Sequence, residues 1–520
     1  MNAVRIAVFC ALITIPLSAQ APMPTDSWPT YYGDFTGRRF SPLAKINDSN
    51  VKSLTLAWIY RMTSATGTVN PPRGTPLMSD GVIYFSGTDN AYAVDARTGR
   101  EIWHYTRVST VGRHFSNRGM GMNENYVFFE TPDCHLIALN KTDGTVRWSK
   151  VVADIDQFYY CSVAPAIIGN HVISGVSGDD LDNPGFIEAH DPETGDLQWR
   201  FYTVPMKKGD PGMDSWPNAD MASHGGGMTW QPITYDPDLN LIYVTTGNPQ
   251  PVIANANRPG DNLYTCSIVA VHADTGKMAW AFQTSPHDTH DWDSTQPAVL
   301  FDAPITPNGQ PRKLVAQAAR NGHFFVLDRV TGKAIVSTEF AKTNWSLGNN
   351  PQGQPIPDPE KLPSLAGTLV SPNQGGGVNW YPPTFSPLTG LFYVNANRAF
   401  SIYYLYDATA NPQGWGGNDR SGFVETALEA IDYQTGQIKW SHKWESPNVS
   451  GLLSTAGNLI FTGAPGNSIE ALNATTGEPL WLARLAAVPV VPPTTWELDG
   501  QQYVIVGAGD SLYAFAMLAK

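Results

Sequence analysis

Short apolar runs alternate with polar positions along most of the chain. Examples are "GVIYFSG" at 81–87, "AYAV" at 91–94, "HLIAL" at 135–139, "SIVAV" at 267–271 and "NLIFTG" at 458–463. A period of two puts every second side chain on one face, so these runs predict short β-strands. A nine-residue phrase follows such strands. It reads "DARTGREIW" at 95–103, "NKTDGTVRW" at 140–148, "DPETGDLQW" at 191–199, "HADTGKMAW" at 272–280, "DRVTGKAIV" at 328–336, "DYQTGQIKW" at 432–440 and "NATTGEPLW" at 473–481. Six of the seven copies end in tryptophan, always eight residues after the opening Asp, Asn or His. The Asp or Asn opens a turn, Gly supplies a positive φ, and the aromatic begins the next strand.

Four short strands per unit of roughly 40–50 residues describe a propeller blade. The expected fold is therefore all-β, an eight-bladed β-propeller. Its eighth blade joins "LTLAWIY" at 54–60, which has no blade before it, to the last strands "QYVIVGAG" and "SLYAFAM". Closure by N- and C-terminal strands removes exposed sheet edges. The long gaps between copies, 199–280 and 336–440, leave room for insertions that carry function.

Composition narrows the partners. With 42% hydrophobic and 15% charged residues, the chain can bury a large core. A net charge of -13 argues against nucleic acid and anionic membranes, both of which need a basic surface. At the N-terminus, Arg5 precedes an apolar run from Ile6 to Leu17, then Ser18 and Ala19. That pattern reads as a secretory signal peptide over 1–21, with one propeller domain over 22–520 and a periplasmic or secreted mature protein. No later apolar run reaches the ~18 residues of a membrane span. Cys134, Cys161 and Cys266 remain after the signal, which allows one disulfide and one free thiol without fixing the pair. No CxxCH occurs, so no c-type haem attaches by that motif.

The densest chemistry lies in "SPHDTHDWDSTQP" at 285–297, which holds His287, Asp288, His290, Asp291 and Asp293 around one tryptophan. If the segment is a strand, Asp291 and Asp293 point the same way and Trp292 points into packing. Pro286, His287 and Asp288 are expected to shape the loop. The stretches "NRGM", "VSGDDLDNPGF", "GGGMTW", "GNPQPV", "RPGDNLYT", "TSPHDTHDWD", "ARNGHFFVLDR" and "GGGVNW" occur in that order. Together with the N-terminal "WPTYYGDFTGRRFSPLAKINDSNVKSLTLAW", they closely resemble the quinoprotein alcohol dehydrogenases. These are the methanol dehydrogenase-like enzymes that bind pyrroloquinoline quinone (PQQ), and the resemblance covers nearly the whole mature chain.

The resemblance implies PQQ beside one lanthanide ion or Ca2+. It implies Asp180, Asn248, Asp291 and Asp293 as metal ligands, since hard cations take six or more oxygens. Asp293 matches the extra acid of lanthanide-dependent members. It implies Asp291 as catalytic base and Arg320 as the cation near the reactive quinone oxygens. Trp230 matches the ring that stacks under the quinone, and Arg118 a bidentate clamp for a cofactor carboxylate. Ser162, Ser177, Gly178, Asn379 and Trp380 match further cofactor contacts or the pocket rim.

Three positions depart from the family pattern. Gly112 and Arg113 stand where an adjacent cysteine pair is common, with His114 beside them. Arg73 replaces a glutamate that contacts the cofactor, where it is able to pair with a PQQ carboxylate. Asp180 is one methylene shorter than the usual glutamate and follows Asp179. The expected activity is oxidation of a small alcohol to an aldehyde or ketone by hydride transfer to PQQ. Electrons then pass to an external carrier such as a cytochrome c. The alternatives are a PQQ and calcium enzyme acting on a sugar or aldehyde, and a non-enzymatic propeller serving as a binding or assembly scaffold. The insertions 206–221 and 343–369 are expected to build the substrate pocket.

Overall fold

The computed structural model describes residues 23–63, 71–107, 117–178, 181–294, 296–306, 308–406, 414–448 and 450–517. Among them, eight sheets of four or five strands follow one another along the chain, antiparallel except where Phe40–Ser41 pairs parallel with Leu452–Thr455, with one extra two-stranded hairpin. The apolar runs become strands as their period predicts. In the fourth sheet, for example, Thr234–Asp236, Leu241–Thr245, Ser267–His272 and Met278–Gln283 pair in sequence order. The inner strands are buried on both faces because neighbouring sheets pack on either side. Ile173 and Ile187 of the third sheet meet Ile242 and Val269 of the fourth in one cluster. The outermost strand Leu197–Tyr202 is mostly exposed.

The repeated phrase has a second physical role beyond its turn. At Asp95, the carboxylate Oδ1 accepts the backbone N–H of Arg97 and Thr98, which fixes the turn. The glycine then lies under the tryptophan of the preceding repeat. A Cβ on Gly99, Gly144, Gly195, Gly276, Gly332 or Gly477 would come within 2.5–2.8 Å of Trp58, Trp103, Trp148, Trp199, Trp280 or Trp440 respectively. The same six glycines have φ of 66–75°, so both space and backbone demand glycine. Most of these indoles donate to a carbonyl of the next repeat, such as Trp103 Nε1 to Lys141 O at 2.8 Å and Trp148 Nε1 to Pro192 O at 2.9 Å. The copy without tryptophan, at Val336, puts Thr338 over Gly436 instead.

The two ends of the chain share a sheet. Strand Leu54–Arg61 pairs antiparallel with Ser511–Met517, followed by Gln501–Ala508 and Val491–Leu498. Trp58 thereby supplies the ring over Gly99, and Trp481 Nε1 donates to Leu54 O at 3.0 Å. Cys134 and Cys161 form a disulfide in the core beside Trp148, while Cys266 is free and buried. The signal-like segment 1–21 lies outside the described residues.

Candidate active site

The loop that carries the acidic cluster leaves strand Met278–Gln283 and is shaped by its own side chains. Asp288 Oδ2 accepts the backbone N–H of His290 at 3.3 Å and of Trp292 at 3.1 Å. His287 Nδ1 donates to Gly260 O at 2.6 Å, and its Nε2 meets Asn255 Nδ2 at 2.9 Å. The fully buried Arg258 donates to Asp288 O at 2.6 Å and to Val252 O at 3.0 Å. Trp292 is buried against Val252, Ile253, Trp345 and Tyr403, with its ring stacked 4.3 Å from His290. Burial pulls the His290 pKa down to about 3, so the ring is neutral at working pH. Burial likewise pushes Asp288 up to about 6.

Asp291 and Asp293 do point together, but not through a strand. No strand forms over 291–293, and Asp291 has φ 66°. The two carboxylates converge because Arg320 forks them. Its Nη2 donates to Asp291 Oδ2 at 2.8 Å and its Nη1 to Asp293 Oδ2 at 3.0 Å. All three side chains are buried. Burial opposes the Arg320 charge, but the two carboxylates outweigh it and hold its pKa above the usual value. Burial raises the pKa of Asp291, and Arg320 and Gln374 work against that rise. Gln374 Nε2 donates to Asp291 Oδ2, and the Gln374 carbonyl accepts from Arg320 Nη2 at 3.0 Å. Asn248 joins the group through its backbone N–H, which donates to Asp293 Oδ1 at 2.6 Å. Its side-chain Oδ1 is buried with no hydrogen-bond partner among the described residues.

A second group gathers aromatic and clamp residues. Arg118 Nη1 donates to Ser162 Oγ, which lies 3.0 Å from Ser177 Oγ. The Arg118 guanidinium stands 4.2 Å over the Trp230 ring and 5.3 Å from that of Trp380, held by cation–π attraction. One face of the indole expected to carry a flat ring thus carries the clamp. Gly178 has φ 139°, and a Cβ there would meet Asn183 Nδ2 at 3.0 Å. Asn379 Nδ2 donates to Gly375 O at 2.9 Å and so braces the glycine loop beside Gln374. Arg73 is exposed, and its charge and that of Arg118 both act on Tyr381, whose ring stacks on Trp380.

Residues 28–346 and 425–504 match the family model described as the PQQ glucose/ethanol/alcohol dehydrogenase β-propeller domain. The chain is 37% identical over 507 residues to the quinoprotein alcohol dehydrogenase PedH of Pseudomonas putida, covering 91% of this chain and 84% of that protein. It belongs to the PQQ-dependent alcohol dehydrogenase family. The quinohemoprotein alcohol dehydrogenase of Comamonas testosteroni superposes with a TM-score of 0.87 at 32% identity, over 95% of this chain and 81% of that one. A europium-containing methanol dehydrogenase gives a TM-score of 0.87 at 29% identity, over 94% and 98%. This quinoprotein is therefore an oxidoreductase with an all-β propeller domain, and its family membership implies PQQ and a metal ion. The scaffold alternative has no support from these relatives.

The oxygen set of this quinoprotein suits a hard cation. Asn248 Oδ1 is an unused buried acceptor on a residue whose backbone N–H is bonded to Asp293. Among the described residues, no three His, Cys, Asp or Glu side chains cluster at metal-binding spacing. Asp179 and Asp180 lie outside the described residues, as do Gly112, Arg113 and His114. Of the two insertions, 343–369 packs Trp345 and Leu362 behind the 285–290 loop. The insertion 206–221 instead puts Met206 and Lys207 on an outer groove of about 610 Å³ with Lys277 and Met278. Sequence reasoning missed Gln374, although it directly precedes the "GGGVNW" stretch. It also missed Tyr403, whose hydroxyl donates to His290 O at 3.0 Å.

Proposed function

We propose that the chain is an exported dehydrogenase that oxidises an alcohol to an aldehyde or ketone, with Asp291 as the base. The observation that carries this reading is the Arg320 fork, which holds Asp291 and Asp293 together where the Asn248 backbone also binds Asp293. Bound PQQ supplies the hydride acceptor, and its metal supplies a Lewis acid. Asp180, Asn248, Asp291 and Asp293 would hold the ion, and the extra carboxylate of Asp293 favours a trivalent lanthanide over Ca2+. Arg118, Ser162, Ser177, Gly178, Trp230, Asn379 and Trp380 would hold the quinone, with Arg73 at the rim. Asp291 accepts the hydroxyl proton of the alcohol. Arg320 and Gln374 aim the Asp291 carboxylate, and both oppose the burial that raises its pKa. The packed loop around Trp292 keeps bulk water from the base.

The eight sheets are read as blades of a ring closed by the pairing of 54–61 with 511–517. The core that joins Phe85 and Tyr92 of the first sheet to Phe515 and Phe461 supports that reading. The signal-like N-terminus supports a periplasmic or secreted location. Relatives named quinohemoproteins, such as that of Comamonas testosteroni, support a cytochrome-type acceptor. The proposed acceptor is a separate protein. No helix among the described residues is long and apolar enough to cross a membrane.

Reconstitution tests the reading. Purified protein is loaded with PQQ and either La3+ or Ca2+, and dye-linked oxidation of an alcohol panel is measured. Turnover with La3+ well above that with Ca2+ is expected. No turnover with either ion would overturn the proposal. Full activity with Ca2+ alone would overturn only the choice of metal.

A further inference from the structure

Two strands of the sixth sheet are far longer than the rest: Leu391–Leu405 with 15 residues and Gly417–Asp432 with 16. Their far ends run on past the strands 384–386 and 438–444, pair with Thr368–Val370 and form a wall of the site. Ser401 pairs with Ser421 and Tyr403 with Asp419, so these four side chains share one face. That face turns towards the catalytic loop. Tyr403 is fully buried with its hydroxyl on His290 O, and Gln374 N–H donates to Ser401 Oγ at 3.2 Å. Phe400 and Ile402 take the opposite face, together with Arg420.

Asp419 is the odd charge on this wall. Its Oδ2 accepts from Ser401 Oγ at 2.8 Å and from Ser421 Oγ at 2.9 Å, both neutral donors. Asp291 and Asp293 share Arg320, but Asp419 forms no ion pair among the described residues. It is half-buried, and the chain Asp291–Gln374–Ser401–Asp419 connects it to the proposed base. Asp419 also adds to the upward pressure on the pKa of Asp291. A partly desolvated carboxylate with only hydroxyl donors gains from a cation and rejects an apolar group of the same shape.

We propose that Asp419, set by Ser401 and Ser421 beyond Gln374, seats a cationic group of the substrate, so that the preferred substrates are alcohols bearing an ammonium group. The inference rests on the alcohol dehydrogenase reading above. The hydroxyl faces Asp291, the ammonium faces Asp419, and Gln374 lies between them. Discrimination comes from the charge rather than from shape, since both ends of the wall are fixed by hydrogen bonds.

Choline and 3,3-dimethylbutan-1-ol test this, because they share a shape and differ in the positive charge. With the PQQ- and metal-loaded protein, kcat/KM for choline is expected to exceed that for the neutral isostere by about tenfold. Asp419→Asn should reduce that ratio to roughly one to two, and Ser421→Ala should reduce it by about threefold. Calorimetry gives an arm independent of turnover. Tetramethylammonium should bind the wild-type protein about tenfold more tightly than it binds the Asp419→Asn variant. A wild-type ratio of one or less, or a ratio that survives Asp419→Asn, would overturn the proposal. If no alcohol at all is oxidised, the dehydrogenase reading fails, and the tetramethylammonium arm still decides the seat. Equal tetramethylammonium binding by the two proteins then overturns it.

Discussion

The periphery and the centre of this protein are built on opposite plans. At the periphery, one tryptophan and one glycine meet in six successive pairs of repeats, from Trp58 over Gly99 to Trp440 over Gly477, with Thr338 over Gly436 as the exception. At the centre, no contact repeats. Arg320, Asn248 and Gln374 reach Asp291 and Asp293 from three different connections, and Gln374 lies 83 residues from Asp291. The periphery spreads stability over many equivalent small contacts. The centre concentrates buried charge in one place, where each partner is irreplaceable. Damage at the rim should therefore cost stability with activity per folded molecule retained, and damage at the centre should do the reverse.

The largest effect is expected from Asp291→Asn. Removing the base should lower kcat by about 10²–10⁴-fold in the reconstituted enzyme. The melting temperature should stay close to wild type, because the amide still accepts from Arg320. A large fall in melting temperature would break the contrast. The matching rim variant is Gly332→Ala, at φ 72° with Trp280 2.5 Å from the new Cβ. It should cost about 2–4 kcal/mol in denaturant unfolding, with kcat of the folded fraction unchanged. Next comes Gln374→Leu, which removes a hydrogen bond to a charged group. A loss of roughly tenfold or more in kcat/KM is expected, with stability little altered.

The smallest effect sharpens the comparison by pH. Glu130 is buried between the second and third sheets, where Val163 N–H donates to it at 2.8 Å and Ser174 Oγ donates to its other oxygen. Burial pushes its pKa up to about 8. The unfolded chain loses this proton above the ordinary glutamate value, and the folded chain keeps it until about pH 8. Folded protein therefore binds more protons in that window, and stability falls as pH rises through it. Glu130→Gln should flatten this slope, so that melting curves at pH 5 and pH 8.5 differ by about 2–4 °C less than in wild type. An unchanged slope would show that Glu130 is not the titrating group.

The same contrast explains what was legible in the sequence. The repeat rests on turn residues at fixed local offsets, so its strands and its glycines read directly from the text. What the text hid was the partner of each glycine, because the ring that covers it comes from the previous copy. At the centre, the position of Asp291 and Asp293 was legible but the reason for their convergence was not. A period of two suggested a strand. The backbone instead turns through a left-handed residue, and Arg320, 27 residues beyond Asp293, draws the two carboxylates together. Asp419 was invisible for a similar reason. Its place depends on how far two strands run past the neighbouring strand Ile438–Trp444, and alternation alone does not set strand length.

The pairing of 54–61 with 511–517 has a consequence for how the molecule is made. A ribosome delivers the first of these strands some 450 residues before its partner, so the strand waits through nearly all of synthesis with its hydrogen-bonding edge open. Its Trp58 is also the ring over Gly99, so the first repeat is held by a segment that is itself unsecured until the last strands arrive. Folding should therefore end in one late, cooperative step. A chain shortened by its final strand is expected to be aggregation-prone rather than merely weakened.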